Sequence, residues 1–208
     1  MQKQLVFQRY ELKFLLSEDQ KERLMTYFPC YMRPDPYGLT TIRNLYYDSD
    51  HYRLIRRSIE KPVYKEKLSL RGYGNILPDS PVFVELKKKY KKIVYKRRLS
   101  MSEREATAWL AGISLPSDRS QIACEIEYVL HYYESLHPVV FLAYDRSAYF
   151  GKEDATFRIT FDKNIVCRQS DLSLISAVYG ACLLPKGQVL MEIKSMGAIP
   201  LWLVHFLS

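Results

Sequence analysis

The sequence has few tryptophans and histidines, and its cysteines are far apart. Of 208 residues, 2 are Trp, 4 are His and 4 are Cys. No C-x-x-C pair occurs and no histidine completes a zinc-binding spacing, so the pattern argues against a zinc site. The cysteines are typical of reduced thiols in a cytosolic protein. They are Cys30, Cys124, Cys167 and Cys182. The histidines are interpreted as structural or exposed: His51, His131, His137 and His205.

Long hydrophobic runs are also missing. No apolar stretch approaches the ~20 residues that span a bilayer. The polar N-terminal segment lacks the apolar core of a secretory signal. We therefore expect a soluble cytoplasmic protein, which can lie at the inner face of a membrane through a membrane-protein partner.

Charge of one sign is in excess. Lys and Arg number 31 against 23 Asp and Glu, a formal net charge of +8. Such a surplus favours an anionic partner. Nucleic acid, a membrane surface and phosphate metabolites all satisfy this condition, so the placement of the charges must choose among them.

Local patterns predict many short-linked strands and several helices. Ser17 with Gln20, and Ser102 with Glu105, have the spacing of helix capping boxes. Strands joined by short connections are expected to be antiparallel. The predicted class is α+β, in one domain covering residues 1–208. Strands are predicted at 9–14, 39–48, 63–73, 81–90, 93–101, 138–149, 156–162, 164–168 and 188–194. Helices are predicted at 17–27, 50–59, 102–111, 121–136 and 200–207.

One face of strand after strand is charged, while the other is apolar. The i, i+2 spacing places each set on one side of its strand. Helices must cover the apolar faces, so the charged faces are expected to point at one another inside a closed antiparallel barrel. The charged sets are Arg9, Glu11 and Lys13; Lys65, Lys67, Ser69 and Arg71; Glu85, Lys87 and Lys89; Lys96 and Arg98; Arg158, Thr160 and Asp162; Glu192 and Lys194.

A charged interior of this kind needs an anionic ligand. Desolvated charges persist only when they are paired or bind something. Arg offers bidentate contacts to phosphate, and Lys supplies point charges. Glu11, Glu85 and Glu192 supply hard oxygen ligands that suit Mg²⁺ or Mn²⁺ bound against phosphates.

Six segments carry a resemblance to a known family: 9–14, 43–48, 65–74, 83–89, 144–149 and 191–194. In this order they resemble the VTC domain, the catalytic domain of the vacuolar transporter chaperone complex and its bacterial relatives. This domain belongs to the triphosphate tunnel metalloenzymes, together with the CYTH proteins. The resemblance implies an antiparallel tunnel of eight strands flanked by helices. It also implies a transferase, a polyphosphate polymerase that adds the γ-phosphate of ATP to a growing chain with Mn²⁺ or Mg²⁺.

The resemblance and the strand faces together assign the site. Glu192 is the expected metal ligand, with Glu11 and Glu85 in support. Arg98 is preferred over Arg97 because it shares a face with Lys96. The expected catalytic residues are Arg43, Lys67, Arg71, Lys87, Arg146 and Arg158. The expected phosphate-binding residues are Lys13, Lys65, Lys89, Lys96, Arg98 and Lys194.

Two features depart from the family pattern. Ser69 stands where family members often carry a basic residue, which weakens one phosphate subsite. Members usually continue past the last helix into a basic C-terminal segment, whereas this sequence ends at Ser208. The segment that helps to close the tunnel is therefore expected to be truncated, and both departures bear on activity more than on fold.

Three other functions fit parts of the sequence. A CYTH-like triphosphatase would use water as the nucleophile, although the excess of cations over carboxylates favours polymer synthesis. A module that binds polyphosphate or inositol phosphates without turnover is the second. The basic run 87–92 with Tyr90 and Tyr95 could grip nucleic acid, but a solvated basic hairpin explains it better and no nucleic acid is expected.

Overall fold

A computed structural model describes residues 6–7, 10–60, 62–91 and 93–208. The strands are β1 (Val6–Phe7), β2 (Tyr10–Ser17), β3 (Met32–Pro34), β4 (Thr40–Asp48), β5 (Tyr64–Tyr73), β6 (Pro81–Tyr90), β7 (Ile93–Ser102), β8 (His137–Gly151), β9 (Arg158–Arg168), β10 (Ala181–Cys182) and β11 (Gln188–Ser195). The helices are α1 (Glu18–Met25), α2 (Phe28–Tyr31), α3 (Arg53–Ile59), α4 (Glu103–Leu110), α5 (Gln121–Tyr133) and α6 (Leu201–Leu207). Arg9 and Lys92, which belong to predicted charged runs, lie outside the described residues.

The chain divides into two compact units. The first unit contains residues 42–143 and 166–181 together with β1. The second unit contains residues 10–41, 144–165 and 182–208. The long strands β8 and β9 contribute one part to each unit.

In the first unit, β5, β6 and β7 form an antiparallel meander whose register aligns the charged faces. Lys67 lies opposite Lys87, which lies opposite Lys96. Ser69 lies opposite Glu85, which lies opposite Arg98. Side chains alternate across a strand, so residues paired in this way share a face of the sheet. The predicted hairpin of 81–90 with 93–101 is thereby confirmed.

The opposite face of this meander forms the core of the first unit. Leu68, Leu86 and Val84 are fully buried there. They belong to one cluster with Trp109 of α4 and Ile126 of α5. Burial of each large aliphatic side chain contributes about 1.5–3 kcal/mol, so this apolar face holds the charged face in place.

The second unit repeats the arrangement with β9, β11 and β2. Glu192 of β11 lies between Thr160 of β9 and Lys13 of β2 in the register. Its neighbour Met191 points the other way and is fully buried. The core cluster there joins the apolar face of these strands to α1, α2 and α6. Ser17 and Gln20 form the predicted capping box at the start of α1.

The structure confirms the antiparallel α+β class but not the predicted barrel. The strand order of the described residues is open and contains eleven strands. A closed barrel of eight strands is therefore wrong. The additional strands β1, β3 and β10 have two or three residues each, too short to produce the alternation from which strands are predicted.

The predicted tight turn between 162 and 164 is also wrong. Residues 158–168 form one continuous strand, although Asn164 has a φ of 51°. Asparagine tolerates this left-handed conformation and signals a turn. Here it is accommodated inside the strand, where its side-chain nitrogen donates to Asp145 at 2.8 Å.

Ser49 and Asp48 accept hydrogen bonds from backbone donors at the start of α3. The helix begins at Arg53 after Tyr52, whose φ is 56°, and the Ser49 hydroxyl accepts from the backbone nitrogen of Arg53 at 3.2 Å. The Asp48 carboxylate accepts from the backbone nitrogens of Leu54 and Ile55 at 2.8 and 2.9 Å. A carboxylate held at a helix start satisfies donors that lack a partner within the helix.

None of the helices in the described part of the chain has both the length and the hydropathy that crossing a membrane requires.

Candidate functional site

The charged face of the first unit centres on the carboxylate of Glu85. The Nζ atom of Lys96 lies 2.7 Å from it, and the Nε atom of Arg98 lies 3.2 Å from it. Arg71 and Lys87 each approach to 3.7 Å. Cations therefore outnumber this carboxylate four to one in the Glu85 cluster, defined as these five residues.

Three of the four cations of this cluster reach solvent, whereas Arg71 is only 12% exposed and the carboxylate is fully buried. The Glu85 side chain is 0% exposed, but those of Lys87, Lys96 and Arg98 are 35–42% exposed. An anion in solution can therefore contact the cations while Glu85 stays underneath them. The cluster therefore presents a positively charged surface to solvent, with a buried carboxylate beneath it.

The cluster shifts the protonation equilibria of its members. Burial alone would raise the pKa of the Glu85 carboxyl, but the charges of Arg71, Lys96 and Lys87 outweigh it and lower that pKa. For Lys96, burial lowers the pKa and outweighs the opposing pull of Glu85. Glu85 is thus held as an anion at neutral pH.

A pH titration of stability tests this assignment. The folded-state pKa of Glu85 lies below its ordinary value of 4.5. Its contribution to stability is therefore present above that value and is lost as the pH falls through the folded-state pKa. Below about pH 4.5, we expect the free energy of unfolding, measured by urea denaturation, to decrease as the pH falls. This decrease should be less steep in Glu85→Gln than in the wild type. Equal slopes would contradict the assignment.

Neutral groups fix the orientation of the two arginines in the cluster. The Nε atom of Arg71 donates to the side-chain oxygen of Asn44 at 2.7 Å, and Asn44 donates in turn to the carbonyl of Leu142 at 3.2 Å. Arg98 donates to the Tyr73 hydroxyl at 2.8 Å, and its guanidinium lies 3.5 Å from the centre of the Phe83 ring. Such support limits the rotamers of both guanidinium groups.

On the opposite face of the same hairpin, two cations contact one carboxylate, and these residues provide controls for variants of the Glu85 cluster. Lys88 and Arg97 contact Glu125 of α5 at 3.1 and 3.2 Å. Both cations therefore point away from the Glu85 cluster. This placement agrees with the expectation that Arg98, rather than Arg97, joins the charged face.

The second unit holds a separate charged group around Glu192. Lys194 contacts its carboxylate at 2.9 Å and Lys13 at 3.9 Å. Arg146 approaches Glu192 to 3.7 Å and binds Asp162 through two hydrogen bonds of 2.6 and 2.7 Å. We call these five residues the Glu192 cluster. Each of its two carboxylates, Glu192 and Asp162, contacts at least one of its three cations, Lys13, Arg146 and Lys194.

Beside this cluster, Thr160 lies directly opposite Glu192. Its hydroxyl oxygen is buried and has no hydrogen-bond partner among the residues that the structure describes. Arg158, two residues away on the same face, contacts Asp35 at 3.5 Å and lies over the Phe150 ring at 4.8 Å. The face thus contains polar groups that a ligand can use.

The predicted metal ligands fit a divalent ion unequally. Glu192 and Asp162 both lie within 4 Å of the Nη2 atom of Arg146, at 3.7 and 2.7 Å. One or two carboxylates together with substrate phosphates are how proteins usually hold Mg²⁺. Glu85 fits poorly, because it is a single fully buried carboxylate facing four cations, whereas the Glu192 cluster has two carboxylates and three cations. In the described ranges, no group of three or more His, Cys, Asp or Glu forms a metal cage.

Glu11 was also predicted to support a metal. It is exposed on β2 and lies opposite Lys194 in the register. It shares a face with Lys13, which lies opposite Glu192. Its position is thus along the charged face of the second unit.

Arg43 lies apart from the Glu85 cluster and is buried. Its Nη1 atom donates to the carbonyl oxygens of Leu174 and Ser176, both at 2.8 Å. Burial and the charge of Arg168 lower the pKa of Arg43. Arg168 donates to further carbonyls of the same segment, including Asp171 at 2.9 Å. The two arginines together anchor the loop 169–180.

Replacing Arg43 by lysine tests this anchoring role. Lysine keeps the charge but loses the planar fork, so at least one buried carbonyl loses its donor. We expect the free energy of unfolding to fall by about 1–3 kcal/mol in urea denaturation. Arg104→Lys is the control, because its contact with Asp79 is exposed. A fall equal to the control would contradict the role.

The remaining predicted cations lie along the charged face of β5 and β6. Lys67 lies opposite Lys87, and Lys65 lies opposite Lys89. The Nζ atom of Lys65 donates to the carbonyl of Ser58 at 3.0 Å, so it is turned toward the end of α3. Lys89 is exposed near the end of its strand.

Sequence reasoning gave no role to three residues that the structure brings into these groups. Asn44 orients Arg71, Asp162 binds Arg146, and Asp35 contacts Arg158. The signal for Asp162 was present, since it shares a strand face with Arg158. Nothing local marks Asp35, which lies 123 residues from its partner in the sequence.

Ser69 occupies the centre of the first unit's charged face. It lies between Tyr46 and Glu85 in the register and is buried. A basic residue here would stand directly beside the Glu85 carboxylate. The serine therefore removes one cation from the face, as the sequence indicated.

Comparison with known families matches this chain to the VTC domain. The family model of the VTC domain matches residues 8–208. A search of curated proteins found no match.

Solved structures of similar fold have low sequence identity. A proposed adenylate cyclase from Bacillus halodurans is 15% identical, with a TM-score of 0.57 over 93% of this chain and 83% of that one. A proposed adenylyl cyclase from Hippeastrum, with a dominant triphosphatase activity, is 14% identical, with a TM-score of 0.54 over 95% of this chain and 83% of that one. At this identity the likeness concerns the fold.

Proposed function

The chain belongs to the VTC domain family, and from this premise we propose that it is a polyphosphate polymerase. It transfers the γ-phosphate of ATP to a growing polyphosphate chain, with Mn²⁺ or Mg²⁺ as the metal. Its substrates are ATP and polyphosphate.

The observation that supports this proposal is the Glu85 cluster. Its solvent-reaching cations present several positive charges at strand spacing, with Lys67 continuing the same face. Neighbouring strands lie about 4.8 Å apart. A linear chain of phosphates can meet one cation after another on such a surface, whereas a compact monoanion would use only one or two.

The chain's own residues supply positioning and charge. Phosphoryl transfer needs the attacking and leaving oxygens in line, and cations where charge spreads over the transferred group. Arg71 and Arg98 are oriented by Asn44 and Tyr73 and can bind phosphate oxygens through their forks. Lys87 and Lys96 neutralise further oxygens. The terminal phosphate of the growing chain is the nucleophile.

Glu192 and Asp162 are the residues that fit the metal. A divalent ion there would neutralise oxygens of a phosphate bound in the second unit. Arg146 holds both carboxylates in one orientation through its contacts with them. Glu85 acts as a counter-ion for the cations rather than as a ligand.

A triphosphatase is the second candidate. The activity attributed to the Hippeastrum protein belongs to a protein of similar fold, and the Glu192–Asp162 pair could orient water as well as a phosphate chain. The excess of cations in the Glu85 cluster favours the polymerase, because a polymer product needs an extended binding surface.

Product analysis separates the candidates. The purified protein is incubated with ATP and Mn²⁺, with and without pyrophosphate as primer, and polyphosphate and free phosphate are measured separately. We expect polyphosphate and ADP. Arg71→Ala should reduce turnover by about 100-fold, whereas Lys88→Ala, on the opposite face, should leave it unchanged.

Each other outcome contradicts the polymerase. Free phosphate without polymer indicates the triphosphatase. Tight polyphosphate binding without either product indicates a binding module.

A further inference from the structure

One end of the first unit exposes an unusual number of large apolar side chains. The backbone nitrogen of Lys91 donates to the carbonyl of Val63 at 3.1 Å, which joins the β6–β7 turn to the segment that follows α3. Tyr64 lies opposite Tyr90, which lies opposite Ile93. We call these residues the hairpin patch: Ile59, Val63, Tyr64, Tyr90 and Ile93. All of them are exposed, from 36% for Ile93 to 71% for Ile59.

Exposed cations lie on the segments that carry the hairpin patch. The ammonium of Lys91 lies 5.4 Å from the centre of the Tyr90 ring. In α3, which ends at Ile59, the exposed cations are Arg53, Arg56 and Arg57.

Carboxylates near the patch are largely engaged elsewhere. Glu66 is buried and accepts from the hydroxyls of Tyr64 and Tyr133 at 2.8 and 2.7 Å. Glu125 contacts Lys88 and Arg97. Glu60 is exposed beside the patch, but several cations oppose it. The local field is therefore positive.

We infer that the hairpin patch docks this protein onto an anionic lipid surface. The aliphatic side chains and tyrosine rings enter the boundary between headgroups and acyl chains, while the cations contact lipid phosphates. Tyrosine suits this boundary because its ring is apolar and its hydroxyl stays hydrated. This surface is separate from the phosphate site and does not depend on its activity.

The aliphatic residues favour lipid over nucleic acid as the occupant. Single-stranded nucleic acid binds through aromatic stacking and cations, and Tyr90 with Lys91 alone would satisfy that. Ile59, Val63 and Ile93 have no flat face for a base and instead resemble membrane-inserting side chains. Their exposure together with basic residues matches the composition of peripheral membrane-binding surfaces.

Vesicle sedimentation with the full chain tests the inference. The vesicles contain phosphatidylcholine alone or phosphatidylcholine mixed with phosphatidylglycerol. We expect binding to the mixed vesicles that weakens with salt, and little binding to the neutral ones. Ile59→Ser with Ile93→Ser should weaken binding by about tenfold, and Arg56→Gln with Lys91→Asn by a similar factor.

Controls separate the patch from folding and from the phosphate site. Ile113→Ser removes an aliphatic side chain that is 80% exposed elsewhere in the first unit, and it should bind vesicles as the wild type does. Arg71→Ala should do the same. Circular dichroism must show the patch variants to be folded.

Three outcomes would overturn the inference. The first is wild-type vesicle binding by both patch variants. The second is release from vesicles by soluble tripolyphosphate together with loss of binding in Arg71→Ala, which would assign headgroup binding to the phosphate site. The third is loss of single-stranded RNA binding in the patch variants without loss of vesicle binding.

Discussion

Glu85→Gln is expected to lower the free energy of unfolding by about 3–5 kcal/mol. The side chain keeps its shape, but Arg71, Lys87, Lys96 and Arg98 lose the carboxylate that they share at 2.7–3.7 Å. Removing one partner of a buried ionic group leaves uncompensated charge, which is far more destabilising than losing an exposed pair. Urea denaturation at neutral pH measures the change.

Added anion should restore part of this loss. Tripolyphosphate binds the folded state of the variant at the same cations, so its stabilising effect follows from mass action. We expect the midpoint of thermal unfolding to rise more with tripolyphosphate in Glu85→Gln than in the wild type. An equal rise would show that the cations around Glu85 do not bind the anion.

Glu125→Gln is the matched control for Glu85→Gln. Glu125 also contacts two cations of the β6–β7 hairpin, but on the opposite face and with partial exposure. Its loss should cost about 1 kcal/mol or less, and tripolyphosphate should not reverse it. A loss as large as that of Glu85→Gln would mean that burial is not what makes Glu85 important.

Arg146→Ala is expected to reduce both stability and turnover. Asp162 and Glu192 are buried carboxylates that contact the same guanidinium. Without it, Asp162 loses both charge-assisted hydrogen bonds, which should lower the free energy of unfolding by about 3 kcal/mol. Since the two carboxylates also lose their common orientation, turnover of ATP should fall by about 100-fold.

A lysine at position 146 separates charge from geometry. Lysine retains the charge but cannot bind Asp162 through two parallel bonds. Arg146→Lys should therefore recover most of the stability and little of the turnover. Arg23→Ala is the control, because Arg23 is exposed on α1 of the same unit. Full turnover in Arg146→Lys would contradict the positioning role.

The meander of the first unit could be predicted from the sequence because alternation is strong there. Lys65, Lys67 and Arg71 alternate with buried residues in β5, so the charged face followed from the period of a strand. The continuous strand β9 was missed because Asn164 signals a turn in local sequence. Its role inside the strand depends on Asp145, which only the tertiary structure brings near.

The sequence predicted which charged residues share a strand face, but not the partners of those residues. The two-residue spacing placed Arg98 and Lys96 on one face of the strand, and both contact Glu85. This spacing could not reveal that cations would surround Glu85, since that depends on the register of three strands. It also could not show that Arg43 holds the carbonyls of Leu174 and Ser176.

The most direct test of the central claim is calorimetric binding of tripolyphosphate to the wild type, Arg71→Ala and Lys88→Ala. If the Glu85 cluster binds phosphate chains, Arg71→Ala should weaken binding by about tenfold or more, equal to about 1.4 kcal/mol, and Lys88→Ala should bind as the wild type does. Equal affinities in all three proteins, or equal losses in both variants, would contradict the claim.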